Sequence, residues 1–330
     1  MRQELIPLEE PERWRDALDG IPHAFAHTWE SCHAMSLTTR HRTFLYQFVS
    51  DGARIVCPVA ERRYAGEVDI VTPFGFSGFA TFGQSMEFSQ AWLCFARDRE
   101  WVCGYIGLNP LLECAAHYPP SDVYQQNELF YLDLRLDEAA LYQRLSRCRK
   151  RQMKAWNARE NWLCTDREIL ADFIVAEADA FFRSRRASSA YGFEPATWRT
   201  LLALPNVVLI GATDEGRIVA ATVFAYAETI ADALFNVSLP EGRDAATSIM
   251  WAGALRLKEL GITDLNMGGG VRQGDSVAQA KQRFGAQALP LRCLKQVYLP
   301  DRFVELCRMA GVDPSDRTGY FPPYRAVGAL

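Results

Sequence analysis

No stretch of this 330-residue chain approaches the ~18–20 uninterrupted apolar residues that span a bilayer. The opening MRQELIPLEEPERW carries acidic residues and no apolar core, so no signal peptide is expected and the location expected is cytoplasmic. A surplus of basic charge is missing as well: 36 Lys and Arg stand against 40 Asp and Glu, which excludes a globally basic nucleic-acid coat but not a local basic patch. The nine cysteines (32, 57, 94, 103, 114, 148, 164, 293, 307) include no C-x-x-C pair and are odd in number. That is the usage of a reducing compartment, with thiols serving as small buried hydrophobes. Only five histidines occur, at 23, 27, 33, 41 and 117. His23 and His27 have one-turn spacing, but Pro22 and the lack of a third ligand leave no metal site to be expected. Neither G-x-S-x-G nor a Ser-His-Asp or Cys-His arrangement is present, so a covalent enzyme intermediate is not expected.

What remains is a chain 49% hydrophobic and 23% charged, long enough for two ordinary domains. Strand and helix signals alternate, which predicts an α/β (α+β) protein. TFLYQFVS (43–50), a turn at Asp51-Gly52 and RIVCPVAERR (54–63) read as a hairpin. VDIVTPF (68–74) is a third strand, 86–100 a helix and WVCGYIGL (101–108) a fourth strand. The plan recurs later. FYLDL (130–134) precedes a helix capped by Asp137 that carries Leu141, Leu145 and Met153 on one face and continues to Arg159. A helix over 168–186 follows, with Ile169, Phe173 and Phe181 inward. Then come a hairpin (206–213 and 217–227), a strand (230–238), a helix over 244–260 ended by Gly261, TDLNM (263–267), a helix over 276–284 and a strand over 289–299. The polar stretch PPSDVYQQNE (119–128) reads as a boundary, giving domains over 1–125 and 126–330.

One segment stands out. LNMGGGVRQGDSVAQAKQRFG (265–285) closes a strand on three glycines and then presents Lys281 and Arg283 from a short helix. Glycine permits positive φ and close backbone approach, so Gly268, Gly269 and Gly270 suit a sharp turn that opens room for substrate. The G-x-G-x-x-G spacing of a dinucleotide site is missing. A phosphate cradle and a turn without function remain the alternatives.

Three motifs carry a resemblance. VDIVTPFGFSG (68–78) looks like the D-x-x-T-P-Y-G-Y-G-G stretch of Fem-like proteins, AFFRSRRASSAYGF (180–193) is similar to their Y-x-x-T-M-x-R-x-x-A-x-x-Y-x-F helix end, and NMGGG…AKQRFG (266–285) resembles their G-G-G…F-K-x-x-F-G block. The element order resembles the GNAT acyltransferase fold. The chain thus resembles the Fem-like, GNAT-type aminoacyltransferases, which include the peptidoglycan-bridge enzymes. The resemblance implies tandem GNAT-like domains packed around an interdomain cleft, without the long helical arm some members carry.

The resemblance also implies roles. Lys281 would face the reacting carbonyl and stabilise the oxyanion formed when an amine attacks an ester. The residue before it is Ala280 where the family has Phe, which changes the pocket's shape more than its charge. Asp69 would orient or deprotonate the amine, with a turn or cap role as the alternative. Thr72, Phe74, Gly75, Phe76 and Gly78 would shape an acceptor pocket, and Arg186, Tyr191, Gly268, Gly269, Gly270, Arg283 and Phe284 would line the substrate site. The segment from Leu141 to Arg159 holds Arg144, Arg147, Arg149, Lys150, Arg151, Lys154 and Arg159, a candidate surface for the phosphates of a tRNA end or nucleotide-linked acceptor; a solvated helix face is the plain alternative. Trp156 and Trp162 are stacking candidates, though Trp156 also fits the apolar stripe. In LPEGRDAATS (239–248), Gly242 and Arg243 retain part of the turn that meets the pyrophosphate of acyl-CoA, but not the whole R/Q-x-x-G-x-G/A pattern.

The function expected is therefore transfer of an amino acid from aminoacyl-tRNA to the amine of a small or nucleotide-linked acceptor, with no cofactor and with aminoacyl-tRNA as co-substrate. An acyl-CoA-dependent N-acyltransferase is the first alternative, and a non-catalytic ligand-binding relative is the second.

Overall fold

The computed structural model describes every residue except 113–117, 186, 187, 271, 273, 329 and 330. Cys114, His117 and Arg186 thus lie outside the described residues. The chain divides into two compact units, 1–126 together with 291–330, and 127–290. The last forty residues group with the first unit and not with the second.

In the first unit, β1 (Arg2–Pro7), α1 (Pro11–Leu18) and α2 (Trp29–Thr39) precede a meander of β2 (Arg42–Ser50), β3 (Ala53–Tyr64) and β4 (Glu67–Val71). A short β5 (Ala80–Gly83) pairs with β3; α3 (Phe88–Asp98) then leads to β6 (Trp101–Gly107), which pairs in parallel with β4. The strand order is β1-β2-β3-β4-β6, and the later part of β13 (Gln287–Val297) closes it on β6. Its core is aromatic: Tyr46, Phe48, Phe79, Phe88, Trp92 and Trp101 are almost fully buried around α3, with Tyr46 and Trp92 ring centres 4.7 Å apart in an edge-to-face pair. Cys32, Cys57, Cys103, Cys293 and Cys307 are buried, as small hydrophobes should be.

The second unit repeats the plan. Strand β7 (Val123–Asp133) is followed by α4 (Glu138–Arg144), α5 (Arg147–Asn157), the two-residue β8 (Leu163–Cys164), α6 (Arg167–Ser184) and α7 (Pro195–Leu202). Then come the antiparallel β9 (Val207–Asp214), β10 (Arg217–Ala227) and β11 (Ile230–Ser238), α8 (Ala246–Glu259), β12 (Asp264–Gly269) and α9 (Ser276–Arg283). Here too the third strand of the meander pairs in parallel with the strand after the helix, β11 with β12, and the order is β7-β12-β11-β10-β9-β8. Helices α5 and α8 bury Met153, Trp156, Ile249, Ala254 and Leu257 on one face of this sheet.

Three local expectations are corrected, and one helix is added. The basic segment is not one helix: Ser146 starts α5 afresh by accepting a hydrogen bond from the Arg149 amide, and Leu145 is extended between the two helices. A serine side chain that caps N–H groups competes with continued helix at that point. The α6 face turned inward is Leu170, Ile174 and Ala178, while Ile169 is 52% exposed. Both sets have helical spacing, and the sheet decides between them, because Leu170 sits over Gly211, where a Cβ would lie 2.2 Å from its Cδ2. The polar stretch 119–128 is strand from Val123 onward, since ladder pairing outweighs its weak propensity. Residues 300–309, unassigned from the sequence, form α10 (Pro300–Met309), which buries Phe303, Leu306 and Cys307.

Among the described residues, no helix is long and apolar enough to cross a membrane.

Candidate functional site

The second unit contains a break in its sheet. Parallel strands β11 and β12 pair only at Ile230 with Asp264, Ala231 with Leu265 and Asp232 with Asn266. Beyond that level β11 continues to Ser238 and β12 to Gly269 without further pairs between them. A wedge-shaped gap therefore opens inside the sheet, with backbone edges on both sides. Leu234 is an extra residue against β10, whose register shifts between Val223 and Phe224, and such a bulge bends the strand at the gap's edge. Ala233, Leu234 and Asn236 on one side and Gly268 and Gly269 on the other are partly exposed.

Lys281 stands on the glycine side. Asp275 caps α9 by accepting a hydrogen bond from the Ala278 amide, so the helix starts where the loop ends and points Lys281 back toward β12. The Lys281 Nζ donates to the Gly269 carbonyl at 2.6 Å, and a Cβ on Gly268 would lie 3.4 Å from it. Gly268 has φ of +75°, and Gly270 has no room for a side chain, since its Cβ would lie 2.8 Å from the Arg272 carbonyl and from Asp275. The three glycines thus make the turn and leave the space that the lysine enters. Burial lowers the Lys281 pKa from 10.5 to about 8, against the opposing pull of Asp275. At neutral pH it remains an ammonium with donors beyond the one given to Gly269.

A buried polar pair, Asp232 and Asn266, which is not among the residues expected from the sequence, lies where the two strands part. Asp232 is 2% exposed and Asn266 1%. The Asn266 side-chain amide donates to Asp232 Oδ1 at 2.6 Å, and its own oxygen accepts from the Gly268 amide at 2.7 Å. Asp232 Oδ2 is buried and has no hydrogen-bond partner among the described residues. Burial raises this carboxyl from an ordinary 3.8 to about 7, with the Asn266 hydrogen bond pulling the other way. The sequence signal is an acid in the apolar first half of IADALFNVS, an interior position of a strand flanked on both sides.

Tyr191 joins an aromatic group on this unit, stacked on Phe182 at 5.0 Å, while Phe193 and Trp198 meet Phe235 of β11 edge-on at 5.5 and 4.8 Å. Arg283 is exposed and reaches Gln279 of its own helix at 3.4 Å. Phe284 is core, 5% exposed among the residues packed against α5 and α8, so the substrate-lining role expected for it is not what its position offers.

Asp69 lies in the first unit and is enclosed. Its Oδ1 accepts from Arg62 at 2.7 Å, and its Oδ2 from Arg325 at 2.6 Å and the Tyr324 hydroxyl at 3.1 Å. Both oxygens are engaged by guanidinium groups, and the residue anchors the C-terminal segment to β3 and β4 in place of the base role expected. The 72–78 loop is pinned along its length. Thr72 Oγ1 accepts from the Gly107 amide at 3.1 Å, Asn109 donates to the Phe76 carbonyl at 2.8 Å and the His27 ring meets the Gly78 carbonyl at 3.2 Å. Gly75 and Gly78 have φ of +116° and +77°, and Cβ atoms there would meet Ala26 at 2.7 Å and the Gly107 carbonyl at 2.9 Å. Phe74 and Phe76 stay partly exposed on this fixed loop.

The phosphate candidates divide. Arg147, Arg151 and Lys154 are exposed on α5; Lys150 bonds the Gln143 carbonyl at 3.2 Å and lies over the Tyr142 ring. Tyr142, Lys150, Met153, Lys154, Asn157 and Ala158 line a cavity of about 440 Å³. Trp156 is core at 2% exposure, with Arg159 over its ring at 3.9 Å, so it offers no stacking platform; Trp162 is half-buried against the same core. Arg243 is exposed, but Gly242 is buried where its Cβ would lie 2.1 Å from the Val219 carbonyl. That glycine serves close packing on β10, a reason for its presence independent of phosphate. Above the start of α8, Arg149 donates to Thr247 Oγ1 at 3.0 Å, and Gln152 accepts from the same hydroxyl at 3.2 Å.

No protein-family model matches the chain, and no curated protein does. Solved structures do. FemX aligns over 92% of this chain and 99% of its own at 11% identity, TM-score 0.67. A conserved protein of unknown function from Bacteroides thetaiotaomicron aligns over 90% and 99% at 10% identity, TM-score 0.61. L-PGS from Bacillus licheniformis aligns over 91% and 96% at 16% identity, TM-score 0.56. Likeness at such low identity shows architecture: the chain shares its fold with FemX.

Proposed function

We propose that this protein is an aminoacyltransferase that moves an amino acid from aminoacyl-tRNA to the amine of a small or nucleotide-linked acceptor. The observation that carries the proposal is the Lys281 ammonium held at Gly269, on the rim of a gap between two parallel strands. In this reading the acceptor nitrogen attacks the ester carbonyl carbon, and charge gathers on the carbonyl oxygen. Lys281 donates to that oxygen, the C–O bond to the ribose breaks, and the ribose hydroxyl leaves with the proton the amine gives up. Positioning two substrates supplies much of the acceleration in such a direct attack, and one fixed donor at the oxyanion is worth on the order of 10²–10³ in rate. The exposed cations Arg147, Arg151 and Lys154 would meet donor phosphates.

Acyl-CoA is the competing donor. The covering of the α8 start by Arg149 and Gln152, and the packing role of Gly242, favour tRNA over it. Incubating the protein with a charged tRNA pool and a cell extract should move amino-acid label into a small product that base treatment does not release. Label transfer from acyl-CoA and none from charged tRNA would replace this reading with the other.

A further inference from the structure

We propose that Asp232, presented by Asn266 where β11 and β12 part, docks a primary ammonium carried by one of the two substrates. The inference rests on the acyl-transfer reading only in supposing two substrates, donor and acceptor, that each bear an amine.

Four observations carry it. Asp232 sits at the last paired level of the two strands, where β11 and β12 part. One carboxylate oxygen is taken by Asn266 and the other is buried without a partner among the described residues. No charged side chain among the described residues acts on it; its surroundings bring only burial and the Asn266 amide. Asn266 is itself fixed by the Gly268 amide, so the pair is aimed and not free to swing. A buried polar oxygen left open costs free energy that a matching donor returns, and a cation returns most. A primary ammonium is small enough for the place where two backbones part and brings three N–H donors. An acyl group without an amine, or one whose amine is blocked, would leave the carboxylate unpaired and be rejected for that reason.

The test is binding, so it does not depend on turnover. The probes are 3′-glycylamido-3′-deoxyadenosine, in which a stable amide replaces the donor ester, the same compound N-acetylated on glycine, and propylamine as a bare acceptor-like amine. Calorimetric titration of the wild type should show the free-amine glycyl compound binding at least about tenfold tighter than its N-acetyl form, the scale of one charge-assisted contact. Asp232→Asn should abolish that preference and leave the N-acetyl affinity unchanged. If the dependence on Asp232 shows with propylamine and not with the glycyl compound, the docked ammonium belongs to the acceptor. Equal affinities of wild type and Asp232→Asn for both amines, or no amine binding by the wild type, would overturn the proposal. Should Asp232→Asn not fold, Asn266→Ala, which releases the carboxylate from its aim, must reduce the preference. Asp232-dependent amine binding together with no label transfer from charged tRNA would sink the aminoacyl-transfer reading and leave the docking site standing.

Discussion

Replacing Asp232 by Asn should make the protein's stability less sensitive to pH, and the size of the effect follows from the site. The native carboxyl titrates near pH 7, while the unfolded chain's Asp titrates at its ordinary 3.8. A group whose pKa rises on folding contributes stability that is full below the unfolded value and lost as pH climbs through the native one. A difference of about 3 in pKa at about 1.4 kcal/mol each makes the complete loss about 4 kcal/mol. Between pH 5 and pH 8 the share lost is about 3 kcal/mol, because part of the decline lies below pH 5. Asparagine keeps the hydrogen bond from Asn266 and carries no charge, but places an amide N–H where Oδ2 was, a pH-independent cost of about 1–3 kcal/mol. The variant should therefore be no more stable than wild type at pH 5 and gain on it steadily toward pH 8. Urea unfolding of both proteins at pH 5, 6, 7 and 8, followed by tryptophan fluorescence, measures this directly. A stability difference that stays constant from pH 5 to 8 would show that the carboxyl does not titrate in this interval, and the account of its burial would fall.

Lys281→Ala should leave the fold intact and lower transfer by on the order of 10²–10³, read as initial rate of label incorporation; an unchanged rate would remove the lysine from the chemistry. Since the ammonium is the active form and its pKa is held near 8, transfer should decline as pH rises through about 8, well before an ordinary lysine would lose its proton. Asp69→Asn should act on stability and not on chemistry, costing about 3–5 kcal/mol by leaving Arg62 and Arg325 without their shared partner, measured as a fall in the urea midpoint. Arg147→Glu with Arg151→Glu should weaken tRNA binding most at low salt and flatten its dependence on salt concentration in a filter-binding titration.

Much of this molecule is legible in one dimension. The strands at 217–227 and 230–238 have the bounds their apolar patterns predict, and the Asp137 cap of α4 forms as the residue type suggests. The repeat of meander, helix and parallel strand in both units follows from the same patterns, because alternation and turn residues are local properties. Lys281 could be singled out because the stretch NMGGG…AKQRFG (266–285), which resembles the Fem-like G-G-G…F-K-x-x-F-G block, is local in the chain. Other features depend on partners distant in sequence. Whether Leu170 or Ile169 faces inward is settled by Gly211 on strand β9. Asp69 looks like a free carboxylate until Arg325, 256 residues away, closes on it. Asp232 and Asn266 are 34 residues apart, and although an acid inside a mostly apolar strand stands out, nothing local pairs it with Asn266. Periodicity dictates which elements form, since it acts over a few residues. Which oxygen is buried without a partner is decided only when strands from separate parts of the chain pair and then diverge, and that is a property of tertiary packing.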